Sequence, residues 1–183
     1  MDGQVVPTVI VSGTLGAGKT AVSDEISVLL EEARVPHGLM DVDCLDQCFP
    51  APAEDPWGEE LACANLAAVW TNFRARGAKY LVLARAIQGR EQLEGYRGAI
   101  PEADITVVRL VASPETLRRR LQQREAGSLR GWFLGRVQSL AQELEAAGVE
   151  DFVVDNDGRP VRDVATEILS RLGWLAATNQ TGR

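Results

Sequence analysis

Apolar and polar positions follow two alternating periods along the chain, one typical of buried strands and one typical of helices. The first apolar run, Val5–Ser12, is rich in β-branched residues and almost continuously apolar, which favours a strand covered on both faces of a sheet. The same pattern recurs after each helical segment. It predicts five strands: Val5–Ser12, Gly38–Val42, Tyr80–Ala84, Ile105–Val111 and Phe152–Asp155.

Segments with apolar residues at helical spacing separate these strands. The predicted helices are Ala21–Arg34, Glu59–Arg76, Gln88–Ile100, Ser113 to about Glu125, Trp132–Ala147 and Val161–Leu172. Strands that alternate with helices predict a parallel sheet with helices on both faces, a three-layer α/β/α fold. No linker divides the chain, so we expect a single domain over residues 1–175 and a flexible tail over residues 176–183.

Composition and charge disfavour several kinds of binding partner. The chain has 183 residues, an ordinary globular balance of 45% hydrophobic and 25% charged residues, and a net charge of −7. An acidic surface disfavours nucleic acid and anionic membranes, and no apolar run is long enough for a membrane helix. The cysteines Cys44, Cys48 and Cys63 form no C-x-x-C pair and are odd in number, which is typical of a reduced chain.

Three further expectations follow from the composition and the first residues of the chain. The opening segment has no basic region and no cleavage site of a secretory signal, so we expect a cytoplasmic protein. The abundance of alanine, arginine, glycine and valine beside only two lysines suggests a GC-rich bacterial genome. We expect a monomer or a homodimer that acts on a small molecule, without nucleic acid or membrane partners.

A phosphate-binding motif lies between the first strand and the first helix. Residues 13–20 match G-x-x-x-x-G-K-[ST] without deviation. Its glycines allow successive backbone N–H groups to surround a phosphate, and the following helix adds the positive end of its dipole. This strand–loop–helix context disfavours a chance match. The predicted nucleotide-binding residues are Gly13, Thr14, Leu15, Gly16, Ala17, Gly18, Lys19 and Thr20, with Lys19 on the β- and γ-phosphates and Thr20 on Mg²⁺.

Several classes of P-loop protein do not fit the rest of the sequence. A GTPase needs a base-reading N-K-x-D, which is absent, and the D-x-x-G at Asp155–Gly158 follows the last strand and is interpreted as a turn. The chain is too short for a large ATPase machine with a helical lid domain. The third strand ends in Ala84-Arg85-Ala86, without the acidic residue of a Walker B strand. The candidate acids instead follow the second strand, as Asp41 and Asp43.

The P-loop, the D-x-D after strand two and the arginine-rich helix after strand four together resemble the small P-loop kinases. These include adenylylsulfate, shikimate, gluconate and nucleoside monophosphate kinases and chloramphenicol phosphotransferase. The resemblance extends over about residues 5–172 and implies a P-loop NTPase fold with a small helical lid. Val42-Asp43-Cys44-Leu45 resembles the V-D-x-L stretch of chloramphenicol phosphotransferase, in which the Asp is the proposed base.

The resemblance therefore implies that Asp43 is a catalytic base beside the acceptor. Asp41 would orient Mg²⁺-bound water and lie near the substrate. The alternative is that one or both of these residues cap the next helix. Arg85, at the carboxyl end of strand three, is placed to bind an anionic acceptor or its oxygens, because ligands of α/β sheets lie at that edge. Its alternative is a salt bridge to Asp41 or Asp43.

The resemblance also implies a mobile lid at about residues 117–136. Arg120 and Arg124 lie four residues apart on one helix face, so we expect both to stabilise the transferred phosphate and Arg120 to contact ATP. The turn after strand five corresponds to the place where these kinases pack adenine, so Asp157 and Arg159 are candidate nucleotide contacts.

Two functions fit this pattern. The first is an ATP- and Mg²⁺-dependent phosphotransferase that moves the γ-phosphate to a hydroxyl or phosphate of a small molecule. The second is a regulatory or accessory module that binds ATP and hydrolyses it slowly. The chain lacks the fuller signatures of the individual kinases, including the D-G-F/Y-P-R stretch of adenylate and guanylate kinases, so the acceptor is left open.

Overall fold

The computed structural model describes residues 5–124 and 130–175. Within them it contains five strands and six α-helices. The strands are β1 Val6–Gly13, β2 His37–Asp41, β3 Tyr80–Ala84, β4 Ala103–Val111 and β5 Phe152–Asp155. The helices are α1 Lys19–Glu32, α2 Glu59–Ala75, α3 Arg90–Ala99, α4 Pro114–Arg124, α5 Arg130–Ala147 and α6 Val161–Leu172. A 3₁₀ turn, Val42–Cys44, follows β2.

All five strands are parallel and lie in the order β2-β3-β1-β4-β5. The most apolar strand, β1, is central. Its register pairs Val11 with Ala84 and Gly13 with Leu110, and Asp41 of β2 pairs with Ala84. The carboxyl ends of the strands therefore meet at one edge of the sheet, where the P-loop and the D-x-D both begin.

Helices cover both faces of the sheet because successive side chains of β1 point in opposite directions. Val9 and Val11 pack into a core with α1, α4, α5 and α6, whereas Ile10 packs into a second core with α2 and α3. Both cores consist mainly of buried aliphatic side chains. The second core also contains Trp70 of α2 and Tyr96 of α3. No helix in the described part of the chain is long and apolar enough to cross a membrane.

The predicted fold class, an α/β fold with a five-stranded parallel sheet and helices on both faces, is confirmed. The main differences are at helix ends. Helix α1 begins at Lys19 rather than Ala21, because Gly18 adopts a left-handed conformation and lets the P-loop pass directly into the helix. Helix α3 begins two residues later than predicted, after an extended Gly89. The predicted tail at residues 176–183 and the segment 125–129 lie outside the described residues, as does the side chain of Arg124.

Candidate active site

The P-loop has the backbone shape that its glycines predict. Gly13 and Gly18 have φ angles of +144° and +96°, a region that L side chains rarely adopt. A Cβ at Gly13 would lie 2.8 Å from the carbonyl oxygen of Leu110, and one at Gly18 would lie 2.7 Å from Nδ2 of Asn156. Glycine is therefore required at both positions, by conformation and by close packing of β4 and the turn after β5.

Two functional groups of the motif project at the start of α1. Nζ of Lys19 donates a hydrogen bond of 3.2 Å to the carbonyl oxygen of Gly13, which holds the ammonium group close to the loop. The Thr20 hydroxyl donates to Oδ2 of Asp41 at 2.8 Å. A hydroxyl and a carboxylate oxygen are hard donors of the kind that Mg²⁺ takes from proteins, together with phosphate oxygens and water. The Thr20–Asp41 pair thus fits a Mg²⁺ site beside the P-loop.

Asp41 also has a structural role. Its Oδ1 accepts a hydrogen bond of 3.1 Å from the backbone N–H of Asp43 and thereby caps the 3₁₀ turn. One carboxylate therefore contacts the Thr20 hydroxyl with one oxygen and a backbone donor with the other. The capping alternative for Asp41 is seen at Oδ1, and its role at Mg²⁺ stays a prediction.

Arg85 is the centre of a buried ionic cluster. Its Nη1 donates to Oδ1 of Asp43 at 2.8 Å and to Oδ2 of Asp46 at 2.6 Å, and its Nη2 donates to Oε1 of Glu59 at 2.8 Å. The residue is only 8% exposed. Burial by itself lowers the pKa of Arg85, but the hydrogen bonds to Asp46 and Glu59 outweigh burial and raise the pKa above its usual value. The cation is therefore permanent, and Asp43 is held against it.

A cavity of about 580 Å³ opens beside this cluster. Its wall is formed by the P-loop, the ends of β2 and β3, the loop before α2, and helices α2, α3 and α5. The residues that line this cavity include Leu15, Lys19, Asp43, Trp57, Arg85 and Arg136. A second cavity of about 490 Å³ lies along the P-loop and is lined by Gly18, Lys19, Thr20, Asp41 and Arg120, among others.

Arg120 lies against the P-loop from α4. Its Nη2 donates to the backbone carbonyl of Asn156 at 2.7 Å, and its Nη1 donates to the carbonyls of Gly16 and Ala17 at 3.4 Å. The guanidinium group is thus positioned at the cavity along the P-loop.

The turn after β5 is brought to the P-loop, but through a residue that was not predicted. Asn156 is 1% exposed, and its Nδ2 donates to the carbonyl of Ala17 at 2.7 Å. Asp157 instead accepts from the backbone N–H of Ser113 at 3.3 Å, and hydrogen bonds from the side chains of Thr116 and Ser113 lower its pKa. Arg159 donates to Glu167 at 2.8 Å. In this structure Asp157 and Arg159 therefore contact protein groups around α4 and α6.

Sequence similarity is too weak to place the chain. No family model matches it, and no curated protein matches it. Its structure is similar to that of a sugar kinase from Janibacter sp. HTCC2649, with 19% identity over 92% of this chain and 95% of that one and a TM-score of 0.62. A gluconokinase from Sinorhizobium meliloti 1021 is similar at 22% identity over 94% and 95% of the two chains, with a TM-score of 0.60.

An APS kinase from Mycobacterium tuberculosis, determined in complex with AMPPNP and APS, is similar at 18% identity over 92% of this chain and 98% of that one, with a TM-score of 0.59. The chain has the fold of the small P-loop kinases. The resemblance inferred from the P-loop, the D-x-D and the arginine-rich helix is thereby confirmed at the level of fold.

Five residues lie at the candidate site that were not among the site residues predicted from the sequence. They are Asp46, Trp57, Glu59, Arg136 and Asn156. Trp57 lies in the loop before α2 and belongs to no motif. Asp46, Glu59 and Arg136 belong to no motif, and each reaches the cavity from a different part of the chain. Asn156 follows β5 directly, and its place at the strand end was the one signal that favoured it.

Proposed function

We propose that the protein is a phosphotransferase that moves the γ-phosphate of ATP to a hydroxyl or phosphate of a small molecule, with Mg²⁺. The observation that carries this proposal is the junction between the two cavities. Leu15, Lys19 and Asp43 line both the P-loop cavity and the cavity beside Arg85. A phosphate donor in the first and an acceptor in the second would therefore meet at a lysine and a carboxylate.

Lys19 and Asp43 suit the two halves of the reaction. Phosphoryl transfer depends on positioning and on neutralisation of the charged oxygens, which the Lys19 ammonium supplies on the donor side. The Asp43 side chain is 52% exposed, and Arg85 fixes its Oδ1. Asp43 is thus oriented to accept the proton of an acceptor hydroxyl as its oxygen attacks the γ-phosphorus. When bound on Thr20 and Asp41, Mg²⁺ would add positive charge to the β- and γ-phosphates.

The remaining site residues have supporting roles in this proposal. Arg120 lies at the nucleotide cavity and would stabilise charge on the transferred phosphate, together with Arg124 when the lid at residues 117–136 closes. The turn with Asp157 and Arg159, held to the P-loop by Asn156, would pack the adenine. A single domain over residues 1–175, a cytoplasmic location, a bacterial origin and a monomeric or homodimeric state remain predictions from the sequence.

The test is ADP release from Mg-ATP across a panel of small-molecule acceptors. We expect one class of acceptor to stimulate release. Lys19→Met should weaken both ATP binding and transfer, whereas Asp43→Asn should retain ATP binding and lose transfer by roughly 10²–10⁴-fold, as loss of a general base does. Asp104→Asn is the matched control, because Asp104 is an exposed carboxylate near the amino end of β4 and should have no effect.

Two results would contradict the proposal. Full transfer by Asp43→Asn would remove the assigned base. Slow release that no acceptor stimulates, unchanged in Asp43→Asn, would favour the alternative of a regulatory ATP-binding module.

A further inference from the structure

The proposed acceptor cavity contains one buried arginine, Arg85. Carboxylates of the protein itself already accept hydrogen bonds from it. In a site for an anionic acceptor, a guanidinium in the wall would be expected to pair with the ligand. Here both terminal nitrogens of Arg85 already donate to carboxylates of the chain, two of them through Nη1 and one through Nη2. An anionic ligand at this guanidinium would lie beside carboxylates that already contact it, and they would repel the ligand.

The charge of this wall is negative. Three carboxylates, those of Asp43, Asp46 and Glu59, contact the one guanidinium, which leaves an excess of two negative charges. The side chain of Asp46 is only 16% exposed, so water screens it little.

The other two cations of the cavity do not reverse this sign. Lys19 belongs to the P-loop, where the nucleotide phosphates would engage it. Arg136 projects from α5 and pairs with both carboxylate oxygens of Glu143. A ligand beside the Arg85 cluster therefore faces a negative wall.

Apolar side chains line the same cavity as the carboxylates. Trp57 is 80% exposed and lines the cavity together with Leu15 and Leu140. An aromatic face next to carboxylates attracts a cation twice, through the ring quadrupole and through the opposite charges. The same face can pack the carbon frame that carries such a cation.

We infer that the acceptor is a hydroxylated small molecule with a protonated amine and no anionic group. This inference rests on the proposed function and names its substrate class. The amine would bind between Trp57 and the carboxylates of Asp46 and Glu59, which places a hydroxyl of the same molecule near Asp43. The hydroxyl oxygen bonds to the γ-phosphorus, the bond from that phosphorus to the bridging oxygen breaks, and ADP leaves. The hydroxyl proton passes to Asp43, and the amine stays protonated.

Acceptors matched in frame and different in charge test the inference. We would use three sets: glucosamine, glucose and glucuronate; 2-amino-1,3-propanediol, glycerol and glycerate; and 2-deoxystreptamine, inositol and quinate. In at least one set we expect the aminated member to exceed the neutral one by about tenfold or more in kcat/KM, the size of one well-placed charge contact. A preference for an anionic member, or equal use of the aminated and neutral members in every set, would overturn the inference.

A variant separates charge recognition from general damage to the cavity. Asp46→Asn keeps the shape of the side chain and removes one negative charge. KM for the aminated acceptor should rise about tenfold while KM for its neutral partner stays constant. An equal rise for both acceptors would show a structural role and contradict the assignment. Asp104→Asn again serves as the control outside the site.

Failure of the proposed function can be recognised separately. In that case no compound stimulates ADP release, and Asp43→Asn does not change the basal rate. Acceptor binding is then followed by the fluorescence of Trp57, with Trp57→Phe subtracted to remove the other tryptophans. Tighter binding of the aminated members would support the charge assignment even without transfer. No binding, or binding without regard to charge, would overturn it.

Discussion

Replacing Arg85 by methionine should destabilise the protein strongly, even without any ligand. The substitution keeps an unbranched side chain about as long as the aliphatic stem of arginine, so the packing of that stem is largely retained. It removes the cation from a cluster in which Asp43, Asp46 and Glu59 all accept hydrogen bonds from the same guanidinium. Those carboxylates are then left close together without a counter-charge.

The size of the loss in the free energy of unfolding depends on how well water can replace the hydrogen bonds that the three carboxylates lose. A hydrogen bond to a charged group contributes about 1.5–3 kcal/mol when it is buried. Asp46, whose side chain is 16% exposed, loses most of that amount, Glu59 at 34% loses part of it, and Asp43 at 52% is largely resolvated. The expected loss is about 3–4 kcal/mol, which agrees with the usual cost of removing one partner of a buried pair.

Urea denaturation at neutral pH measures this loss as a difference in the free energy of unfolding. Arg74→Met is the matched control. Arg74 also pairs with a carboxylate, Glu102 at 2.6 Å, but its side chain is 55% exposed, so the same substitution should cost less than about 1 kcal/mol. In an Asp46→Asn background the cost of Arg85→Met should fall by about 1–2 kcal/mol, because one stranded charge is already gone. A loss under about 1 kcal/mol, or full additivity of the two substitutions, would refute the cluster.

Three other predictions test further parts of the structure. The Tyr96 hydroxyl is buried without a hydrogen-bond partner, and burial raises the pKa of Tyr96. Tyr96→Phe should therefore change the free energy of unfolding by less than about 1 kcal/mol at neutral pH. Above a pH of about 10 only the unfolded chain ionises this phenol, so wild type should lose stability in urea titrations that the variant keeps. Parallel pH profiles of the two proteins would be evidence against this. A Cβ at Gly38 would lie 2.3 Å from Cδ2 of Phe73. Gly38→Ala should therefore lower the free energy of unfolding by about 1–3 kcal/mol in the same assay, and by much less in a Phe73→Leu background. An unchanged loss in that background would exclude the clash. Arg120→Ala should raise the calorimetric Kd for ATP by about tenfold, since a charged donor at the P-loop is lost; an unchanged Kd would place this arginine outside the nucleotide site.

The P-loop half of the candidate site could be predicted from the sequence because its geometry is local. Eight consecutive residues form the P-loop, and their conformation is determined by glycines and by the adjoining strand and helix. The D-x-D was also predictable, because Asp41 ends β2 and Thr20 ends the P-loop motif, so both lie at the carboxyl edge of the sheet. The capping alternative for Asp41 was also stated from the sequence, although the spacing alone could not show that the other oxygen of the same carboxylate contacts Thr20.

The half of the candidate site around Arg85 could not be predicted in the same way. Arg85 is separated from Asp43 by 42 positions, from Asp46 by 39 and from Glu59 by 26. Whether Arg85 binds a ligand or the protein depends on how the loop between β2 and α2 folds back over β3, and no short motif encodes that path. The Asp43 salt bridge was one of two alternatives for this arginine, but Asp46 and Glu59 emerge only from the fold.

Phosphate-binding groups and carboxylate clusters lie in different parts of the two cavities, and this difference would orient the substrates. The chain carries a net charge of −7, so an anionic nucleotide is not attracted by the protein as a whole. It would bind where the backbone N–H groups of the P-loop, Lys19 and Arg120 supply donors, and the carboxylates around Arg85 would repel it from the other cavity. A cationic acceptor would have the opposite preference. If both substrates bind as proposed, the γ-phosphate and the acceptor hydroxyl meet where Lys19 and Asp43 line both cavities, and charge disfavours the reversed arrangement.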